Sequence, residues 1–339
     1  EFADELDNLG VRVANLEKKA DNVKVTGELR YKYMSKENDG ENLNDSNHEN
    51  DLRSRIWVTG QINDDWSYTG MIENTQEFGD NSGNENTEFK RAYVEGKLGG
   101  VNVTAGRYAA FFANGNIYDA QADGVEVSYG DKVKVTGFAG KASDGLAFSD
   151  LGYDFQGGNY AGAELSANFN KLNVAGGYVN FKDIANGGDD AIGEGADDAI
   201  WYVGADYAFD GNVALSAMYL KGDASYQDVD ASKVLGYDYD DDGWTVGLTY
   251  KGAEASEVGS WGLFANYYDQ GFGTYLAHTT DANTFAGTGF KGYGVGANYT
   301  FAKNIVGTVA YYDTESKVAK DAGKDIDDQR IWADVTFTF

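Results

Sequence analysis

The sequence predicts an all-β fold, a sixteen-stranded antiparallel transmembrane β-barrel with a short N-terminal coiled-coil helix, and three observations carry that reading. From Val23 onward, segments of about ten residues alternate apolar and polar positions and close on Gly, Asn or Asp, the period of a strand with one apolar and one wet face. The connections between segments alternate between tight turns and long loops, the asymmetry of barrels that cross an outer membrane. The 339 residues include 45 Gly, 24 Tyr, 18 Phe and 6 Trp but no Pro and no Cys, so nothing removes a donor from a β-ladder and no disulfide or thiolate site exists.

Charge and composition exclude several classes. With 27 basic against 55 acidic side chains the net charge is −28, which makes nucleic acid a poor partner. Two histidines, His48 and His278, leave little for imidazole catalysis or zinc, and no Ser-His-Asp arrangement or phosphate-cradling Gly motif stands out. The expectation is a chain that is not an enzyme and carries no cofactor or metal. No run approaches the length of a spanning helix, and no basic or apolar leader precedes Glu1, which predicts a processed or truncated start.

Taken in order, residues 1–22 read as a helical stalk or linker and 23–339 as the barrel. Phe2, Leu6, Leu9, Val13 and Leu16 are spaced 4, 3, 4, 3, a heptad stripe suited to an oligomerisation stalk; the alternative is one amphipathic helix packed on the barrel. In the first strand Val23, Val25, Gly27, Leu29, Tyr31 and Tyr33 share one face, and Lys24, Thr26, Glu28, Arg30 and Lys32 the other. Sixteen such segments fall near 23–36, 51–62, 65–76, 87–98, 101–107, 124–130, 132–141, 159–169, 171–182, 199–209, 212–222, 243–251, 259–268, 290–301, 304–314 and 328–339. Turns at 63–65, 99–100, 130–131, 170–171, 210–211 and 302–304 are short, and 252–259 is the one moderately long connection on that side. Aromatics at outward positions beside these turns, among them Trp66, Tyr129, Phe169, Phe209, Tyr250, Trp261, Tyr299, Phe301, Phe337 and Phe339, read as an interfacial girdle. Gly292, Gly294 and Gly296 alternate within a strand and suit curvature and close packing.

The whole barrel region resembles the sixteen-stranded general porins of Gram-negative outer membranes. The stretch Arg55-Ile56-Trp57-Val58-Thr59-Gly60-Gln61-Ile62-Asn63-Asp64-Asp65-Trp66 looks like the second porin strand turning into the third. Phe89 to Gly100, followed by Val101-Asn102-Val103-Thr104-Ala105-Gly106-Arg107-Tyr108, looks like the strand pair before the porin constriction loop. The alternation Ile331, Ala333, Val335, Phe337, Phe339 is similar to the terminal signal read by the barrel assembly machinery. The helical start resembles the linker that follows an S-layer homology domain in OmpM-type porins of diderm Firmicutes. That resemblance implies a tether to peptidoglycan or its polymers through a domain outside this chain.

The porin resemblance implies an outer-membrane channel of a diderm bacterium, its N-terminus in the periplasm, embedded in outer-membrane lipid and assembled as a homotrimer. It would pass ions and small hydrophilic solutes by passive diffusion through a lumen that sixteen strands leave open; the alternative is a structural anchor joining membrane to cell wall. Strand parity turns Arg30, Arg53, Arg55 and Arg91 inward. Parity alone points Arg107 outward, but the family resemblance implies that it too turns into the lumen. The loop 108–122, with Asp119 and then Asp123, matches the loop that narrows a porin lumen, and would set acids opposite the arginines. The alternative is an exterior loop, with the arginines paired to Glu28, Glu73 and Glu95. Lys24, Lys32, Lys132 and Lys134 join the lumen cations, while acidic outer loops favour cations at the mouth, so the sign of selectivity stays open. The run 238–243 has the oxygen-rich spacing of a Ca²⁺ loop, with a solvated acidic loop as the alternative. His48 and His278 fall in predicted outer loops. Inward Trp57, Tyr93, Phe138, Phe264 and Tyr268 are scattered, which ranks general diffusion above a substrate-specific channel.

Overall fold

A computed structural model describes residues 22–40, 45–79, 82–142, 158–184, 196–226, 229–230, 239–285, 288–321 and 323–339. The five stalk positions Phe2, Leu6, Leu9, Val13 and Leu16 lie outside the described residues. The wall begins with β1 (Val23–Gly40), β2 (Asp45–Gln61), β3 (Trp66–Phe78), β4 (Glu85–Leu98), β5 (Val101–Phe112) and β6 (Tyr118–Tyr129). It continues through β7 (Val133–Ala142), β8 (Asn159–Phe169), β9 (Leu172–Lys182), β10 (Ala196–Ala208) and β11 (Val213–Lys221). Two short pieces, β12 (Ala224–Tyr226) and β13 (Val229–Asp230), extend the loop end of β10. The wall is completed by β14 (Asp242–Lys251), β15 (Trp261–Gln270), β16 (Phe290–Ala302), β17 (Ile305–Ser316) and β18 (Ile326–Thr338). Each wall strand pairs antiparallel with its chain neighbours, β11 pairs with β14, and β18 pairs with β1. Sixteen strands therefore close on themselves, as the periodicity predicts.

Local chemistry explains the turn end. Asn63 Oδ1 accepts from the backbone N–H of both Asp65 and Trp66 at 3.0 Å, and Asp210 Oδ1 accepts from those of Asn212 and Val213 at 2.7 and 3.0 Å. Asn170 and Asn304 hold the left-handed conformation, which asparagine tolerates. The longer turn 252–260 is tied by Ser260 Oγ, which accepts from Glu254 N–H at 2.7 Å and donates to Glu257 O at 2.7 Å.

β1 and β2 run farther than the alternation predicts. The register extends from Val23↔Gly60 to Asn38↔Asp45, although 37–50 is almost wholly polar. Beyond the apolar belt both faces meet water, so alternation vanishes while backbone pairing continues. His48 accordingly sits in β2 and not in a loop, its Nδ1 at 3.2 Å from Tyr33 Oη.

The outer face is an apolar belt. Val25, Leu165, Val203, Leu248, Val309 and Ile331 all lie exposed, a distribution that water does not tolerate over so wide an area and hydrocarbon favours. At the turn end Tyr129, Phe169, Phe209, Phe301 and Phe339 stand exposed as the girdle, whereas Trp66 is half-buried and lies over Gly96. Phe337 also faces outward, and Phe339 is fixed by paired backbone bonds with Gly27 while its ring covers that glycine.

The strand glycines make room for rings. A Cβ on Gly296 would lie 2.2 Å from the Phe264 ring, and one on Gly294 would lie 2.6 Å from Tyr312; Gly211, in a turn, has nothing within 4 Å. Gly296→Val should therefore cost about 1–3 kcal/mol by overpacking, and Gly211→Ala almost nothing. Heat-dependent loss of the compact band in detergent electrophoresis would separate the two variants.

Candidate functional site

The hairpin formed by β5 and β6 enters the barrel. β5 stays paired to β4 only as far as Arg107, and β6 to β7 only as far as Ala122, yet the two strands remain paired with each other out to Phe112↔Tyr118. The expected loop 108–122 is thus mostly ladder, because Tyr108, Ala110, Phe112 and Tyr118 alternate onto one buried face. Gly106 marks the departure: its φ is +124°, and a Cβ there would meet the Ala92 carbonyl oxygen at 2.4 Å, so only glycine fits.

Inside, the apolar face of the hairpin packs on inward residues of the adjoining strands β7 to β9. Phe112 stacks on Phe138 of β7 at 4.3 Å and meets Tyr160 of β8 and Phe181 of β9, and the hydroxyls of Tyr108 and Tyr160 lie 2.8 Å apart. Asn114 Nδ2 donates to Asp206 of β10 at 3.3 Å, and Gln270 Nε2 of β15 donates to the Asn116 carbonyl at 3.2 Å. Strands this distant along the wall reach the tip only across the lumen, so the loop lies within the pore and not outside it.

A second segment between β15 and β16, the strap 271–289 in its described residues 271–285 and 288–289, also folds inward. Leu276 N–H donates to Ile117 O at 2.9 Å, Asp119 N–H to Ala277 O at 2.7 Å, and Thr279 N–H to Gly115 O at 2.9 Å. Thr279 Oγ1 donates to Asp119 Oδ2 at 2.7 Å. Farther on, Ala282 packs with Met34, Tyr312 and Trp332, inward residues of β1, β17 and β18, and Arg330 donates to the Asp281 carbonyl at 3.3 Å. Periodicity does not reveal this strap, since 271–289 has no strand period. Tyr275, Leu276 and Ala277, apolar in the middle of a loop, are the one local sign of it.

His278 anchors the strap. Its ring meets Tyr268, Tyr275 and Phe290 at 5.4, 6.0 and 5.5 Å between centroids, all near perpendicular. Thr280 N–H donates to its Nδ1 at 3.0 Å, which places the ring proton on Nε2; Nε2 has no partner among the described residues. Burial pushes the imidazole down from 6.5 to about 3. It is a buried structural histidine and not a solvated loop residue.

The arginines occupy the opposite arc. Arg30 on β1 lies opposite Arg53 on β2, and its guanidinium sits 5.3 Å from the Trp332 ring centroid. Arg53 donates to Glu28 at 2.8 Å and Arg55 to Glu73 at 2.6 Å, so the pairing with Glu28 and Glu73 expected of an exterior loop is present even with the hairpin inside. Glu95 instead accepts from Ser67 at 3.5 Å. Lys32 pairs with Asp51 at 2.6 Å. Arg91 feels the charges of Arg55, Glu73 and Asp119, which places the hairpin's acid within electrostatic reach of the ladder.

Arg107 and Asp123 pair at the bend of the hairpin. They face each other in register, paired through Nε and Nη2 at 2.7 and 2.8 Å, on the strand face opposite to Tyr108 and Ala122. Lower in the same strands that face carries Val103, Ala105, Val125 and Val127 outward. The pair stands where the hairpin leaves the wall, on the face of the hairpin that also carries Asp119, and the two charges neutralise each other. The described acids of the run 238–243 are likewise occupied: Lys221 holds Asp241 and Asp242, and Lys317 holds Asp240 together with Asp269 of β15. Among the described residues no group of three or more acidic or histidine side chains is arranged to hold a metal. Phe138 and Tyr268, two of the inward aromatics, serve as floors for hairpin and strap.

No protein-family model matches the chain, and no curated relative matches it in sequence. Solved structures do. An anion-selective porin from Comamonas acidovorans aligns with 94% of this chain and 100% of its own at a TM-score of 0.60 and 13% identity. Salmonella typhi OmpF, in a complex with daunomycin, aligns over 94% and 97% at 0.56 and 14%. OmpT, an outer membrane protein of Vibrio cholerae in its trimer form, aligns over 94% and 99% at 0.56 and 16%. At these identities the likeness is one of fold, and the fold is the sixteen-stranded barrel of general porins.

Because His278 is held neutral, its contribution is complete above pH 6.5 and declines as pH falls toward 3. Between pH 6.5 and 4 the wild type should lose about 3 kcal/mol more than His278→Gln, read as a steeper fall in the heat-unfolding midpoint in detergent.

Proposed function

We propose that the chain forms a water-filled channel through an outer membrane, passing ions and small hydrophilic solutes by passive diffusion. One observation carries this: a closed barrel with an apolar exterior has charged side chains from β1, β2 and β4 along its lumen, and a hairpin folded inside narrows it. Arginine against carboxylate across a narrow aqueous passage orients dipolar solutes and disfavours apolar ones, which cannot shed water there without compensation.

On this reading the turn end faces the periplasm, with the stalk positions Phe2, Leu6, Leu9, Val13 and Leu16 on that side, and the unit is a homotrimer. Arg30, Arg53, Arg55 and Arg91 form the basic side of the constriction and Asp119 belongs to the acidic side. Phe337 and Phe339 complete the strand that the barrel assembly machinery would read. The trimer structure of OmpT, together with the exposed apolar belt, supports self-association.

Single-channel recording in a planar bilayer tests the proposal: stepwise ohmic openings in groups of three support it, and insertion without conductance overturns it. Replacing Arg53 and Arg55 together by Ala leaves Glu28 and Glu73 unopposed. The reversal potential in a salt gradient should then move toward cations, with about a severalfold rise in the cation-to-anion permeability ratio.

A further inference from the structure

Two segments cross the lumen, and together they define which arc of the wall stays open. The hairpin lies against inward residues of β7 to β10, through Phe138, Tyr160, Phe181 and Asp206. The strap 271–289 lies against β15 to β18 and the start of the next arc, through Tyr268, Phe290, Tyr312, Trp332 and Met34. The arc left facing both is β1 to β4, which carries Arg30, Arg53, Arg55 and Arg91.

Two carboxylates look toward that arc. Asp119, near the hairpin tip, is exposed and acts electrostatically on Arg91. Asp281, on the strap, is also exposed, although its neighbour Ala282 is buried among Met34, Tyr312 and Trp332. The charges that act on Asp281 include Arg30, Lys32 and Arg330, together with the acid Asp334. A carboxylate that meets solvent while surrounded by inward-facing wall residues meets the water of the lumen. The hairpin and the strap are joined close to both acids: Thr279 Oγ1 donates to Asp119, and Asp281 follows Thr279 by two residues on the same strap.

We propose that the strap 271–289 is a second constriction element and that Asp281, two residues beyond the Thr279 that holds Asp119, is a charge-selecting residue of the pore, facing the arginine arc. The passage is then a slot with arginines from three wall strands on one side and acids from two separate loops on the other. This inference rests on the channel reading. Its ligands are the permeating species themselves, small ions and dipolar solutes, whose cations Asp281 would draw toward the strap side.

Reversal potentials in a potassium chloride gradient test it. Asp281→Asn keeps size and hydrogen-bonding shape while removing charge, and should lower the cation-to-anion permeability ratio by about two- to threefold; Asp281→Glu should restore it. Asp119→Asn should act in the same direction, and the double variant further. If Asp281→Asn conducts with the wild-type ratio while Asp119→Asn shifts it, the strap lies outside the ion path and the inference fails. If Asp281→Glu fails to restore the ratio, the effect is one of strap structure and the charge-selecting role fails. A wild-type protein that inserts without conductance overturns the channel reading and this inference with it.

Discussion

Backbone hydrogen bonding governs this molecule. In hydrocarbon an unpaired N–H or C=O costs several kcal/mol, and a sheet of sixteen strands with open edges would expose two rows of them. Pairing β18 with β1 removes both edges at once. The absence of proline throughout the chain serves the same end, since no ladder position lacks its donor.

Closure creates a second problem. A ring of sixteen strands is too wide for side chains to fill, so the protein either leaves water inside or spends chain to occupy the space. It does both, in separate arcs. Along β7 to β10 the hairpin brings enough aromatic surface to form a dry cluster, with Phe112, Phe138, Tyr160 and Phe181 in contact. Along β1 to β4 the inward residues include Arg30, Arg53, Arg55 and Arg91, and Arg53 and Arg55 pair with Glu28 and Glu73 on the same wall. The apolar cluster and the paired charges thus occupy separate arcs of the interior.

The interior loops are tied in place by the wall's own devices. The hairpin is a ladder that continues the strands; the strap bonds backbone to backbone along its tip. His278 adds a neutral ring enclosed by aromatics, a contact that depends on the proton being absent from Nδ1. At the long-loop end Lys221 and Lys317 collect acids from β14, β15 and the segment before β14, so much of the local negative charge is held in place by few lysines.

Strand number, closure and the face of each wall residue were legible in the sequence, because in a wall with oil outside and water inside the two-residue period records which way every side chain points. At Arg107 the ladder to Ala92 and Asp123 keeps the alternation up to the bend. The turns were legible for a similar reason: Asn63 and Asp210 fold the chain through bonds two and three residues away. The destination of the loops belonged to the tertiary structure. Nothing local tells Tyr275, Leu276 and His278 that a cage of Tyr268 and Phe290 awaits them, or brings Thr279 to Asp119 across 160 residues of chain. Those contacts exist only once the barrel has closed and given the loops an interior to enter.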